Sequence, residues 1–260
     1  MRTNSIQGGF KMAVSKLKQY HKLIKKAHAS YSNNPILWWP DEFQNEINYW
    51  SYFQGANCLD ASIMLVGQDF GAVKAIDIEN MLAKSKAIDE GKSMNYLDEV
   101  DVVAPTDINL CSLFQHAFNI DIHHLRHKEL FFTNIVLGYR KTTCSGFLPN
   151  KCFEKDLPFF EMLVGIIKPK IIICLGRKTF EYALKALHAP KPKYNKYNEL
   201  IASRNNCINV CRDDYSTVVC GVAHCGSMGT INRCQEVKSK DKGIELQKGD
   251  WKYIADNFYF

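Results

Sequence analysis

The sequence predicts an α/β fold, a single three-layer α/β/α domain around a mostly parallel central sheet. Three short apolar runs carry the prediction: Ala61–Val66, Leu130–Val136 and Lys170–Leu175. Segments with apolar residues at helical spacing separate them, and strands alternating with helices make a parallel sheet covered on both faces. No internal repeat or low-complexity tract interrupts the pattern. Residues 1–56 read as an N-terminal helical extension packed on the core, and residues 57–260 as the α/β domain itself.

Residues 11–29 read as a basic helix, with Leu17, Tyr20, Leu23 and Ile24 on one face and lysines elsewhere. Pro35–Pro40 is an extended aromatic segment, and residues 41–54 look helical with Asp41 as N-cap. Residues 84–107 are polar without a clear period and read as a long loop. Residues 109–119 place Leu110, Leu113, Phe114, Ala117 and Phe118 at helical spacing. The next helix, 151–167, carries a stripe of Phe153, Leu157, Phe160, Val164 and Ile167, and Pro169 ends it. Gly176 then turns the third strand into a helix at Arg177–Leu187. A Pro- and Lys-bearing loop, 189–196, precedes two weaker strands, Cys207–Val210 and Thr217–Val222, and a terminal helix from about Thr230 closes the fold.

Composition narrows the function classes. With 46% apolar residues the chain can bury a sizeable core. No apolar run approaches the roughly 20 residues that span a bilayer, and the Lys-rich start has no apolar signal region, so the expectation is a soluble cytoplasmic protein without a membrane partner. A formal charge of +6 suits a polyanionic partner, because neutralising phosphates drives non-specific nucleic-acid affinity. The 10 cysteines are scattered without a CxxC pair, so reduced thiols are expected rather than a disulfide framework. The densest group, Cys207, Cys211, Cys220, Cys225 and Cys234 around His224, lacks the two close pairs of a zinc site, and its expected role is as small buried hydrophobes.

Polar residues with chemistry to offer cluster at strand ends, where α/β proteins place their ligands. They fall in Gly67-Gln68-Asp69-Phe70-Gly71, around Asn134, and in His224-Cys225-Gly226-Ser227-Met228. Each is weak singly: Gly-x-Asp loops are common, an Asn in a strand can serve the backbone, and a lone His is often structural. Their order around the Lys168-Pro-Lys-Ile-Ile-Ile-Cys-Leu-Gly176 segment is the informative feature.

This layout resembles the uracil-DNA glycosylase superfamily. The classical enzymes read Gly-Gln-Asp-Pro-Tyr in the first motif and His-Pro-Ser in the last. Phe132–Val136 with Lys168–Gly176 is similar to the thermostable bacterial branch, and the similarity spans about residues 60–235. The resemblance implies a monofunctional, base-flipping glycosylase that hydrolyses the N-glycosidic bond of uracil in DNA, acting as a monomer on single- or double-stranded DNA. No lysine sits in the three motif loops to act as a lyase nucleophile.

The resemblance also implies roles. Leaving-group departure creates an oxocarbenium-like sugar and an anionic base. Asp69 matches the carboxylate that stabilises the sugar and orients water, and His224 matches the donor to the pyrimidine O2. Asn134 matches the amide that reads uracil by accepting from N3–H and donating to O4 once the base has left the duplex. Gly67, Gln68, Phe70 and Gly71 belong to the substrate loop, and Phe70 or Phe114 is expected to stack on the base, although Phe114 equally fits a core stripe. Met228 matches an apolar wedge, with Ser227 and Arg233 as DNA contacts.

Departures from the motifs matter too. Phe70 stands in place of Pro, Gly71 in place of the Tyr that crowds the thymine methyl, and Cys225-Gly226 in place of Pro-Ser. Only Cys58 precedes Gly67, and Gly138 occupies the third of the four cluster positions of the thermostable branch, leaving Cys152 for the fourth; no iron–sulfur cluster, and no other cofactor or metal, is expected. Three other readings stay open. Gly71 leaves room for a glycosylase acting on another deaminated or 5-modified base. The altered final motif allows a catalytically silent DNA-binding homologue. An unrelated α/β enzyme such as a nucleotide hydrolase remains, although without a GxxxxGK[ST] loop.

Overall fold

The computed structural model describes residues 4–41, 59–72, 79, 105–122, 130–142, 148–234 and 237–260. The expected helix at 41–54 apart from Asp41, most of the expected loop at 84–107 and Cys58 lie outside them. The elements, in chain order, are α1 (Asn4–Ala29), β1 (Leu37–Trp38), β2 (Ile63–Gly67), α2 (Pro105–Phe118), β3 (Leu130–Asn134), β4 (Tyr139–Arg140), α3 (Asn150–Ile167), β5 (Ile171–Leu175), α4 (Arg177–Ala186), α5 (Tyr197–Ala202), β6 (Cys207–Cys211), β7 (Ser216–Val222), α6 (Ser227–Arg233) and α7 (Lys240–Ile254). A π-helical turn, Ala255–Tyr259, follows α7.

Five strands form one sheet in the order β3-β2-β5-β7-β6. β2, β3, β5 and β7 run parallel, and only the edge strand β6 is antiparallel to its neighbour. The central strands are buried along their whole length, which explains their continuous apolar runs. Their side chains still alternate between faces. Met64, Val66 and Ile172 pack with Tyr20, Leu23 and Ile24 of α1, Phe153 and Phe160 of α3 and Phe180 of α4. Ile63, Leu65 and Ile173 pack on the other face with Leu110 and Leu113 of α2 and Trp251 of α7. The sheet therefore has helices on both sides, and α1 belongs to one of these cores.

Several boundaries differ from the sequence expectation for local reasons. α2 starts at Pro105, before its apolar stripe, because a proline suits the first helical turn; residues 105–107 are thus helix rather than loop. α3 ends on Lys168 in the left-handed region (φ 55°), where its N–H bonds back to Val164 O, and Pro169 prevents continuation. The single terminal helix expected from Thr230 is two helices, and Ser239 caps the second by accepting from Lys242 N (3.4 Å). The short helix α5, with Leu200 and Ile201 buried, falls where no helical period was read.

A second, two-stranded sheet pairs β1 with β4 antiparallel, Leu37 opposite Arg140 and Trp38 opposite Tyr139. It joins the N-terminal segment to the chain just beyond β3. Among the described residues, no helix is long and apolar enough to cross a membrane.

Candidate active site

Parallel strands carry their carboxyl ends to the same edge of a sheet, and the crevice there is the usual ligand site of open α/β folds. A cleft of about 840 Å³ opens at this edge. Gly67, Gln68 and Asp69 enter it from the end of β2, Asn134 from the end of β3, Leu175 and Gly176 from β5, and His224 from just past β7. The first turns of α2 (Pro105, Thr106, Asp107), α4 (Arg177, Lys178, Thr179) and α6 (Ser227, Met228, Gly229) complete its walls, together with Arg140.

Asp69 is held by four donors. Arg140 forms a two-pronged pair with it, Nε donating to Oδ1 (2.7 Å) and Nη2 to Oδ2 (2.8 Å). Gln68 Nε2 donates to Oδ2 (2.9 Å) and Gly71 N to Oδ1 (2.9 Å). The last bond closes a tight turn in which Gly71 adopts φ 68°, a conformation that glycine takes without steric cost. Both ionic side chains are only 6% exposed. Burial on its own pushes the Asp69 carboxyl up, but the bonds from Arg140, Gln68 and Gly71 outweigh it and hold the group below its ordinary range. Asp69 is a fixed carboxylate.

Asn134 lies beside Gly67 in the β2–β3 register, and Ile135 N and Val136 N continue the ladder to Gly67 O (2.9 Å) and Gln68 O (3.1 Å). Its side chain is fully buried, yet neither Oδ1 nor Nδ2 has a hydrogen-bond partner among the described residues. A buried amide left unmet costs free energy. Asn134 is also one of the residues that line the cleft.

His224 accepts a hydrogen bond from Gly226 N at Nδ1 (2.9 Å), which assigns the proton of the neutral ring to Nε2. The ring is open to the cleft but walled by protein elsewhere, and this desolvation lowers its pKa. The imidazole is thus a neutral N–H donor at neutral pH. Its backbone is fastened from below: Gln247 Nε2 donates to Ala223 O (3.3 Å) and His224 O (3.0 Å). Asn109 of α2 donates to Cys225 O (2.6 Å), and Thr230 donates to Gln247 Oε1 (3.1 Å). Cys225, in the place of the motif's Pro, is a buried thiol pushed up by that burial.

The cleft brings Gly67, Gln68, Asp69, Asn134, His224, Ser227 and Met228 together, with Met228 68% exposed at its wall. Four other expected residues are elsewhere. Phe114 is fully buried against Phe118, Phe132 and Trp251, so it is core and does not stack on a ligand. Phe70 turns toward Tyr139 (ring centroids 5.5 Å apart), and neither it nor Gly71 lines the cleft. Among the described residues, no Phe, Tyr or Trp side chain does. Arg233 is buried in a two-pronged pair with Asp250 (2.7 and 3.0 Å), so its charge is spent within the protein and offers no contact to DNA.

The residue that sequence reading missed is Arg140. Its only signal was a basic residue in the loop after β3, and nothing local tied it to Asp69. Lys178 also lines the cleft, but its ammonium lies over the Phe153 ring (4.7 Å) and donates to Leu148 O (3.4 Å). The eight described cysteines are free, and no His, Cys, Asp or Glu group among the described residues could hold a metal. No family model matches the chain, and no curated protein matches it.

Proposed function

We propose that the chain is a uracil-DNA glycosylase-type hydrolase, with the corresponding fold, that acts as a monomer on uracil in DNA. The observation that carries the reading is the buried, unpartnered amide of Asn134 at a cleft that also holds a fixed carboxylate and a neutral imidazole donor. Uracil presents N3–H and O4 side by side, a donor and an acceptor that one side-chain amide meets at once. Cytosine presents the opposite pattern, which an amide held in the uracil orientation leaves unmet.

In this reading the flipped base enters with O2 toward His224, whose Nε2–H stabilises the departing anion. Asp69 stabilises the positive charge on the sugar, acting through its charge because its acceptor sites are filled by Arg140, Gln68 and Gly71 N. Met228 fills the space the base leaves in the duplex. Lys178 is committed to Phe153 and Leu148, which supports hydrolysis by water without a Schiff base.

A second reading, a glycosylase for a 5-modified uracil, is supported by the position of Phe70 against Tyr139 and away from the cleft. The test is cleavage of end-labelled oligonucleotides bearing one uracil or one 5-hydroxymethyluracil, alongside Asp69→Asn and His224→Ala. Alkali-labile breaks at uracil that fall in both variants support the first reading. Breaks at the modified base alone support the second, and none at either base refutes both.

A further inference from the structure

We propose that Arg140 is the positioning residue for Asp69, and that the N-terminal segment is a working part of the site because it holds Arg140 in place. The proposal rests on reading Asp69 as the catalytic carboxylate. An ionised carboxylate offers about four acceptor sites. All four are filled: two by Arg140, one by Gln68 and one by Gly71 N. Two parallel bonds from a planar guanidinium fix the carboxylate plane as well as its charge, which one bond from a lysine cannot do.

Arg140 is in turn anchored through its backbone. Arg140 N donates to Gly71 O (2.6 Å), and Lys141 N donates to Ile36 O (3.0 Å). Strand β1 pairs directly with it, Leu37 opposite Arg140. Farther back, Asp156 Oδ2 accepts from Leu137 N (2.8 Å) and from the Tyr31 hydroxyl, tying the turn that leads into β4 to the end of α1. Tyr31, β1 and β4 therefore anchor the backbone that carries Arg140, and its guanidinium braces the carboxylate. Of the other titratable or charged side chains on the cleft wall, Asp107, Arg177, Lys178 and His224, none is a hydrogen-bond partner of Asp69.

The test follows the Asp69 carboxyl by carbon-13 NMR, assigned by difference from Asp69→Asn, across the ordinary carboxylate range near pH 4. The wild-type signal titrates at lower pH than an ordinary carboxylate, whereas in Arg140→Gln, which loses the fork and keeps the burial, it titrates at higher pH than in the wild type. Arg140→Lys keeps a charge without the fork, and its signal titrates between the two. Uracil release falls at least about 100-fold in kcat with KM little changed in Arg140→Gln, and is rescued only in part by lysine. Urea unfolding accompanies each variant, and if Arg140→Gln does not fold, Arg140→Lys carries the comparison. Identical titration of Asp69 with and without the guanidinium overturns the proposal. Wild-type protein that releases no uracil defeats the glycosylase reading, while the titration still decides the role of Arg140.

Discussion

Asp69 and Arg140, 71 positions apart in the chain, meet in a two-pronged ion pair that neither of their own segments could build alone. Gly71, on the Asp69 loop, accepts the Arg140 N–H (2.6 Å), so backbone and side chains lock the same two segments. A buried pair of this kind makes large and unequal contributions, because removing one partner strands the other charge.

Asp69→Asn is therefore expected to lose stability as well as activity, by roughly 3 kcal/mol, since it leaves the Arg140 guanidinium buried without its counter-ion. The double variant Asp69→Asn/Arg140→Gln should cost less than the sum of the single variants. Urea unfolding of the four proteins checks the coupling, and additive losses contradict it.

Asp156 gives a pH dependence of stability. It is fully buried, and burial pushes its carboxyl up to about 6, opposed only in part by bonds from Tyr31 and Leu137 N. Its unfolded pKa is near 4, so between about pH 4 and 6 the native state binds more protons than the unfolded state. Stability from this group is present at the acid end and is lost as pH rises through the folded pKa, on the order of 3 kcal/mol in all. Asp156→Asn should flatten that slope, because its Oδ1 still accepts from Tyr31 and Leu137 N. Thermal unfolding from pH 4 to 8 in both proteins measures it.

Gly138→Ala should destabilise by about 1–3 kcal/mol through overpacking. An added Cβ would lie 2.3 Å from Tyr31 Cε1, and that ring cannot swing away while its hydroxyl is held by Asp156. Tyr31→Ala in the Gly138→Ala background should recover part of the loss specific to the clash, a gain readable as non-additivity in urea.

Much of the fold was legible because burial on both faces writes strands as unbroken apolar runs, as in Ile171–Leu175. The two-residue strands β1 and β4 were not, since two residues carry no period. The three polar loops could be read because the β2, β3 and β7 loops place their chemistry at predictable strand ends. Partnerships of charge could not. Arg140 and Arg233 look alike in sequence, yet one reaches Asp69 in the cleft and the other Asp250 within the protein. Phe114 fitted a core stripe and a stacking role equally well, and only Trp251, 137 positions later in the chain, decides for the core.

Arg233 and Met228 separate stability from DNA contact. Arg233→Met should lower stability, by less than a stranded charge would cost because Arg204 still pairs with Asp250 (2.8 Å), and should leave the salt dependence of DNA binding unchanged. Met228→Ala should leave stability unchanged within about 0.5 kcal/mol, while slowing uracil release from duplex more than from single strands. Urea unfolding and excision assays on both substrates distinguish the two residues.

The most direct test of the central claim is single-turnover release of uracil by wild type and Asn134→Ala, with urea unfolding of both. A reading amide held unmet in the free protein predicts at least about a 100-fold slower release and little loss of stability, because the variant removes an unsatisfied buried group along with the side-chain volume. Undiminished release by Asn134→Ala, or the absence of release by the wild type, would contradict the account.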